Sequence, residues 1–222
     1  MFYNNEDHQP TKDTAVVILG DCSDSRAKLQ PMFGEENLAI NRRFWSTLKK
    51  NVVKSAQQAH IPFVFSKGQE CEPFTDNLAV EISNLFDEGW DKLILVGVNT
   101  PNLSAETLAK STELLKEKDW VIEPSETEGV NILGLKAENF QLDEFRLLPW
   151  TGDGFFHELV GYIRTLNQSL SILPSNPSFT DRTSLDRWLE NSPNKVLSLV
   201  IKGLLFKENY KKTQIEEACG TN

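Results

Sequence analysis

Residues 91–103 read DKLILVGVNTPNL. The aliphatic run Leu93, Ile94, Leu95, Val96 has no polar interruption, ends on Gly97, and breaks into the turn Val98-Asn99-Thr100-Pro101. A helix is expected from Ser104, whose hydroxyl is a natural N-cap, with Glu106 and Glu113 along it. A continuous apolar strand flanked by helical segments is buried on both faces, as in a mostly parallel sheet covered by helices. Ligands of such sheets bind beyond the carboxyl ends of the strands. The turn from Gly97 to Pro101 is therefore the first place to look for a site, although alone it also fits an ordinary strand-to-helix turn.

The flanking segments follow the same logic. Residues 15–20, AVVILG, form a buried first strand followed by an acidic loop over 21–25. Leu38, Phe44 or Trp45, Leu48, Val52 and Ala56 recur near helical spacing and predict a helix after Gly34. A second strand over 61–65 belongs near an edge, because Pro62 cannot donate to a central ladder. A helix over 77–86 ends at Gly89. Strands are expected over 120–122, 129–135 and 170–173, the middle one antiparallel or oblique because a short acidic loop leads into it. Residues 153–166 and 184–189 read as helices.

At 222 residues the chain can bury one full α/β core. Its formal charge of −9 argues against a nucleic-acid backbone as partner, which would call for a basic stripe. Cys22, Cys71 and Cys219 are scattered, with no C-x-x-C pair, giving neither a disulfide framework nor a zinc site and fitting a reducing cytosol. No run reaches the ~20 apolar residues of a membrane span, and the polar, acidic start is not a secretory signal. The expected organisation is a flexible leader over 1–13, one domain over 14–192, and a C-terminal helix plus tail over 193–222. That helix has a broad apolar face from Val196 to Phe206 and several lysines. Docking on its own domain is the favoured reading; binding a membrane surface or a partner helix is the alternative. G-x-S-x-G, H-E-x-x-H and G-x-x-x-x-G-K-[ST] are all missing, so serine hydrolase, zincin and P-loop readings lack support. His8, His60 and His157 lack ligand spacing.

Taken in order, five segments carry a resemblance. They are SRAKLQPMFG (25–34), QECEPFTDNLA (69–79), the turn after 93–96, EPSETEGVNILGL (123–135) and LPW (148–150). Together they resemble a family of small bacterial proteins of unassigned function with the nucleotide-diphospho-sugar transferase (GT-A) fold. Its members include glycosyltransferases linked to arsenosugar biosynthesis. The resemblance runs over residues 15–189 and keeps the family's Gly34, Gly97, Pro101, Pro124, Gly129, Gly134, Pro149 and Trp150. It implies a three-layer, mostly parallel α/β domain. It also implies transfer of a sugar from a nucleoside-diphospho sugar to an acceptor.

The motif acids are eroded. Asn99 stands where the family carries a strand-end Asp, and Thr127 where it carries the Asp of D-G-G-Y. Asn77 replaces an Arg, and only Asp181 survives of a late D-x-D whose first position is Phe179. The resemblance implies phosphate or nucleotide contacts at Arg26, Lys28, Gln69, Gly97, Asn99 and Thr100. Glu126, Glu128 and Asp181 are the remaining catalytic candidates, with Trp150 at the acceptor pocket. Mg²⁺ or Mn²⁺ would be held through Asn99 and Asp181, since such ions take oxygen ligands and phosphate oxygens. An amide adds no charge, so an ion-free site stays open. The chain is either a glycosyltransferase or a catalytically silent relative that binds a nucleotide, a sugar or a protein.

Overall fold

The structure is a computed structural model describing residues 12–20, 23–66, 74–127, 129–150 and 154–219, with side chains to Glu208. In chain order the elements are β1 (Lys12–Leu19), α1 (Ser23–Leu29), α2 (Leu38–Gln58), β2 (Phe63–Phe65), α3 (Phe74–Asp87), β3 (Trp90–Gly97) and α4 (Ala105–Glu117). There follow β4 (Trp120–Pro124), β5 (Val130–Lys136), α5 (Leu142–Arg146), α6 (Phe155–Thr165), β6 (Leu170–Ile172), α7 (Arg182–Asn191) and α8 (Lys195–Cys219).

Six strands form one sheet in the order β2-β1-β3-β5-β4-β6. β5 alone runs antiparallel to its neighbours β3 and β4; the other pairs are parallel. Alternation along the central strands divides the core in two. Val16, Ile18, Ile94, Val96, Val121 and Ile132 face a cluster that includes Phe44 and Trp45 of α2, Leu115 of α4, Trp188 of α7 and Ile201 of α8. Ala15, Val17, Leu93, Leu95, Trp120 and Leu133 face the other side, with Ile82 of α3, Phe145 of α5 and Leu159 of α6. Burial on both faces is why residues 93–96 show no polar alternation. This is a three-layer α/β architecture with a mostly parallel sheet.

Several boundaries differ from the sequence reading, and α5 has no counterpart in it. β1 starts at Lys12, inside the stretch read as leader, because Lys12 pairs in register with Trp90 and its N–H donates to the Gly89 carbonyl at 2.7 Å. Ser23–Leu29 is helix, although residues 21–25 read as loop; it buries only Ala27, so it shows no apolar periodicity. Ser104 caps α4, its hydroxyl accepting from the Thr107 N–H at 3.1 Å.

β1 connects to β2 on one side of itself, and the chain then returns to β3 on the other. That reversal opens a crevice past the carboxyl ends of β1 and β3, the usual ligand position in open α/β sheets.

Candidate functional site

The crevice is a cleft of about 780 Å³, lined by Gly20 after β1, Ser25, Arg26 and Gln30 from α1 and the residue after it, Gly97 and Asn99 after β3, and Asn131 on β5. Phe74, Trp150 and Phe155 form its aromatic wall. The Trp150 ring lies 4.7 Å from both Phe145 and Phe155, and its Nε1 donates to the Phe145 carbonyl at 3.0 Å. Trp150 is thus a fixed wall and presents its remaining surface to the cleft.

Arg26 is the one charged residue among the described residues lining the cleft. Its Nη1 donates to Gln30 Oε1 at 3.1 Å, and its guanidinium lies 5.5 Å from the Trp45 ring centre. Burial lowers its pKa from the ordinary arginine value, but a guanidinium keeps its charge in proteins. Gln30 is held in turn, its Nε2 donating to the carbonyls of Phe179 at 3.3 Å and Thr180 at 2.5 Å. The Phe179 N–H donates to the Asn99 carbonyl at 2.9 Å, so residues 179–180 brace both sides of the cleft mouth. The Asn99 side chain folds back over Gly97, where any Cβ would collide with its Oδ1. A side chain at position 97 would therefore displace the Asn99 amide from this place.

A second cavity of about 320 Å³ lies beside the first, lined by Asn102, Glu126, Thr127, Asn176, Ser178 and Arg187 among others. The hydroxyls of Ser125, Thr127 and Ser178 gather here, with Ser125 2.6 Å from Ser178 and 2.8 Å from Thr127. One hydrogen bond links the two spaces. Asn131, which lines the cleft, donates to the carbonyl of Asn176, which lines the cavity, at 2.8 Å. The Asn131 amide also approaches Glu123 Oε1 at 3.4 Å. Glu123 is only 2 % exposed, and burial raises its pKa against the hydrogen bonds from Asn176 and Asn131.

The residues singled out from sequence therefore divide. Arg26, Gly97, Asn99 and Trp150 line the cleft, and Glu126 lines the adjoining cavity. Lys28 is exposed on α1 and lines neither, while Thr100 is buried under the turn. Gln69 and Glu128 lie outside the described residues. Asp181 is the N-cap of α7, its carboxylate accepting from the Ser184 N–H at 2.7 Å. That amide bond, first among several contacts, holds its pKa below the ordinary carboxylate value. Ser25, Gln30, Asn131, Phe74 and Phe155 did not stand out in the sequence. Gln30 had one signal, its i+4 spacing from Arg26.

Asn99 and Asp181 do not combine into a ligand set for a divalent ion. The first is neutral and the second is committed to a helix cap. Among the described residues the cleft lining has no carboxylate, and no three His, Cys, Asp or Glu side chains gather as metal ligands. These residues do not fit a protein-built Mg²⁺ or Mn²⁺ site, which calls for one or two carboxylates. A cationic, partly aromatic cleft fits an anionic ligand with a ring.

A model of the family described as "Uncharacterized protein conserved in bacteria (DUF2064)" matches residues 39–152. Among solved structures, a protein of Desulfovibrio desulfuricans G20, provisionally named a nucleotide-diphospho-sugar transferase, superposes with a TM-score of 0.71 at 13% identity. The match covers 90% of this chain and 97% of that one. Rv0371c of Mycobacterium tuberculosis H37Rv follows at 0.53 and 14% identity, over 82% of this chain and 100% of its own. At such identities the likeness establishes the fold, that of the nucleotide-diphospho-sugar transferases. No curated protein matches the chain by sequence.

Proposed function

The chain belongs to this bacterial family, and from that premise and the geometry of the cleft we propose that it binds a nucleoside-diphospho sugar beyond β1 and β3 as a glycosyltransferase-like protein. The observation that carries this is the meeting of Arg26, Gln30, Gly97 and Asn99 at the strand-order reversal, opposite an aromatic wall. The Arg26 fork suits diphosphate oxygens, which it can engage in pairs. Phe74, Trp150 and Phe155 offer apolar faces to a base or sugar ring. Glu126, exposed at the second cavity, is the carboxylate assigned to take the proton of an acceptor hydroxyl. The fold of the Desulfovibrio protein supports the same donor class.

A second reading is favoured by the lack of carboxylates in the described lining: a relative that binds the nucleotide without turning it over. Both readings require Arg26. Thermal unfolding with a panel of nucleoside diphosphates and their sugars, with and without Mn²⁺, tests the site. A specific ligand at a hundred times its Kd should add about 2.7 kcal/mol of apparent stability. Arg26→Gln should cut that affinity by at least roughly tenfold, as expected for losing a charge-assisted hydrogen bond of about 1.5–3 kcal/mol. No stabilisation by any member, or equal stabilisation of Arg26→Gln, removes the proposal. Release of free sugar or its transfer from the stabilising ligand then separates enzyme from silent binder.

A further inference from the structure

α8 turns two different faces to its surroundings. Leu197, Ile201 and Leu204 are buried against the core, and Glu208 is buried against Arg182 at 3.1 Å. On the opposite side Val196, Leu199, Val200 and Phe206 stand out, with Leu199 and Phe206 each 73% exposed. At 3.6 residues per turn these four form one stripe along three turns. Lys195 and Lys202 fall on one border of the stripe, and Lys207 lies at its C-terminal end, between the columns of Val196 and Val200. Four of the eight exposed large apolar side chains among the described residues belong to this stripe, so it is not the scatter normal for a surface.

The charge around it is equally uneven. Val200 and Leu204 share a groove with Arg42, Arg43 and Lys50 on the outer face of α2. α2 and the described side chains of α8 carry eight of the chain's 23 Lys and Arg, and one of its 32 acids, the buried Glu208. Arg42 is paired with Asp24 at 2.8 Å. Arg43 and Lys50 thus set positive charge beside Val200 at one edge of the ridge, in a protein of formal charge −9, while Lys49 lies over Phe65 elsewhere on α2.

The geometry points to an anionic lipid surface as the occupant of this face. Convex apolar side chains bordered by long basic ones can enter the headgroup boundary while the cations reach lipid phosphates. A second copy suits the face poorly, since a two-fold pairing of α8 would bring its lysine borders together. An acidic protein would have to supply a groove for the ridge. No described helix is long and apolar enough to cross a membrane, so the contact would be peripheral.

The test is flotation of the full-length protein with vesicles of phosphatidylcholine alone, or of phosphatidylcholine and phosphatidylglycerol in equal parts, at low and high salt. Binding is expected to the anionic vesicles only and should fall with salt. Leu199→Ser with Phe206→Ser should abolish it. Lys202→Glu with Lys207→Glu should weaken it by at least roughly tenfold, because each basic residue near an anionic surface strengthens binding several-fold. Both pairs are exposed, and unchanged melting confirms that the variants fold. No binding to anionic vesicles, or binding indifferent to both variants, overturns the proposal. So does light scattering that finds a dimer which Leu199→Ser with Phe206→Ser converts to a monomer.

Discussion

Glu123 sits at the end of β4, where its carboxyl is enclosed and reached by the amides of Asn131 and Asn176. Burial raises its pKa, and the two hydrogen bonds oppose that only in part. The folded chain therefore holds this proton more tightly than the unfolded one. Its contribution to stability is fully present below the unfolded carboxylate value and is lost as pH rises through the raised folded value. Glu123→Gln removes the titration while keeping an acceptor for the Asn131 amide. At neutral pH the variant should melt at or above the parent temperature, and the difference should shrink as pH falls toward about 4. Melting curves across that range check it; a variant less stable at pH 7 and level at low pH contradicts it. At this scale the site was legible where chain position carries the information. Arg26 and Asn99 follow the ends of the two central strands, and a strand end can be read from an apolar run. Asn131 and Gln30 owe their places to sheet pairing and to the brace from residues 179–180, which local sequence does not encode. Asp181 was read as an ion ligand, yet Asp181-Arg182-Thr183-Ser184 has the spacing of an N-cap whose carboxylate takes the N3 amide, and it forms a capping box.

Among elements, β5 shows how closely helix and sheet fit. Gly134 lies under α4, and a Cβ there would meet Leu115 Cδ1 at 3.0 Å and Val121 Cβ at 3.3 Å. Leu115 could give a little, but Val121 is fixed on the adjacent strand. Gly134→Ala should cost about 1–3 kcal/mol, as overpacking of a close-packed core does. Urea unfolding measures it, and an unchanged midpoint would mean that α4 can lift from the sheet. The antiparallel course of β5 could be read from sequence because the connection from β4 is too short for a crossover helix. The edge position of β2 could be read from Pro62. α1 could not, because a seven-residue helix with one buried side chain leaves no periodic signal.

For the whole molecule, the question is how much of the domain's stability rests on α8, which follows the segment resembling the family. Three apolar side chains, Leu197, Ile201 and Leu204, enter the same core as Phe44, Trp45 and Trp188. Full burial of each is worth about 1.5–3 kcal/mol, and the net stability of a domain is only about 5–15 kcal/mol. Arg182 also depends on the helix, since its Nη1 bonds both Glu208 at 3.1 Å and the Met32 carbonyl at 3.3 Å. Ending the chain at Asn194 should therefore remove on the order of several kcal/mol, uncover Phe44, Trp45 and their neighbours, and lower solubility. The outward stripe makes the opposite prediction for stability. Leu199→Ser with Phe206→Ser touches exposed positions and should leave the unfolding midpoint within about 0.5 kcal/mol of the parent. Denaturant unfolding of the parent, the truncated chain and the double variant measures both faces together. A truncated chain that unfolds at the parent midpoint would show that the inward face is not part of the core. A double variant as unstable as the truncation would place Leu199 and Phe206 inside the core, leaving no ridge for a lipid surface to meet.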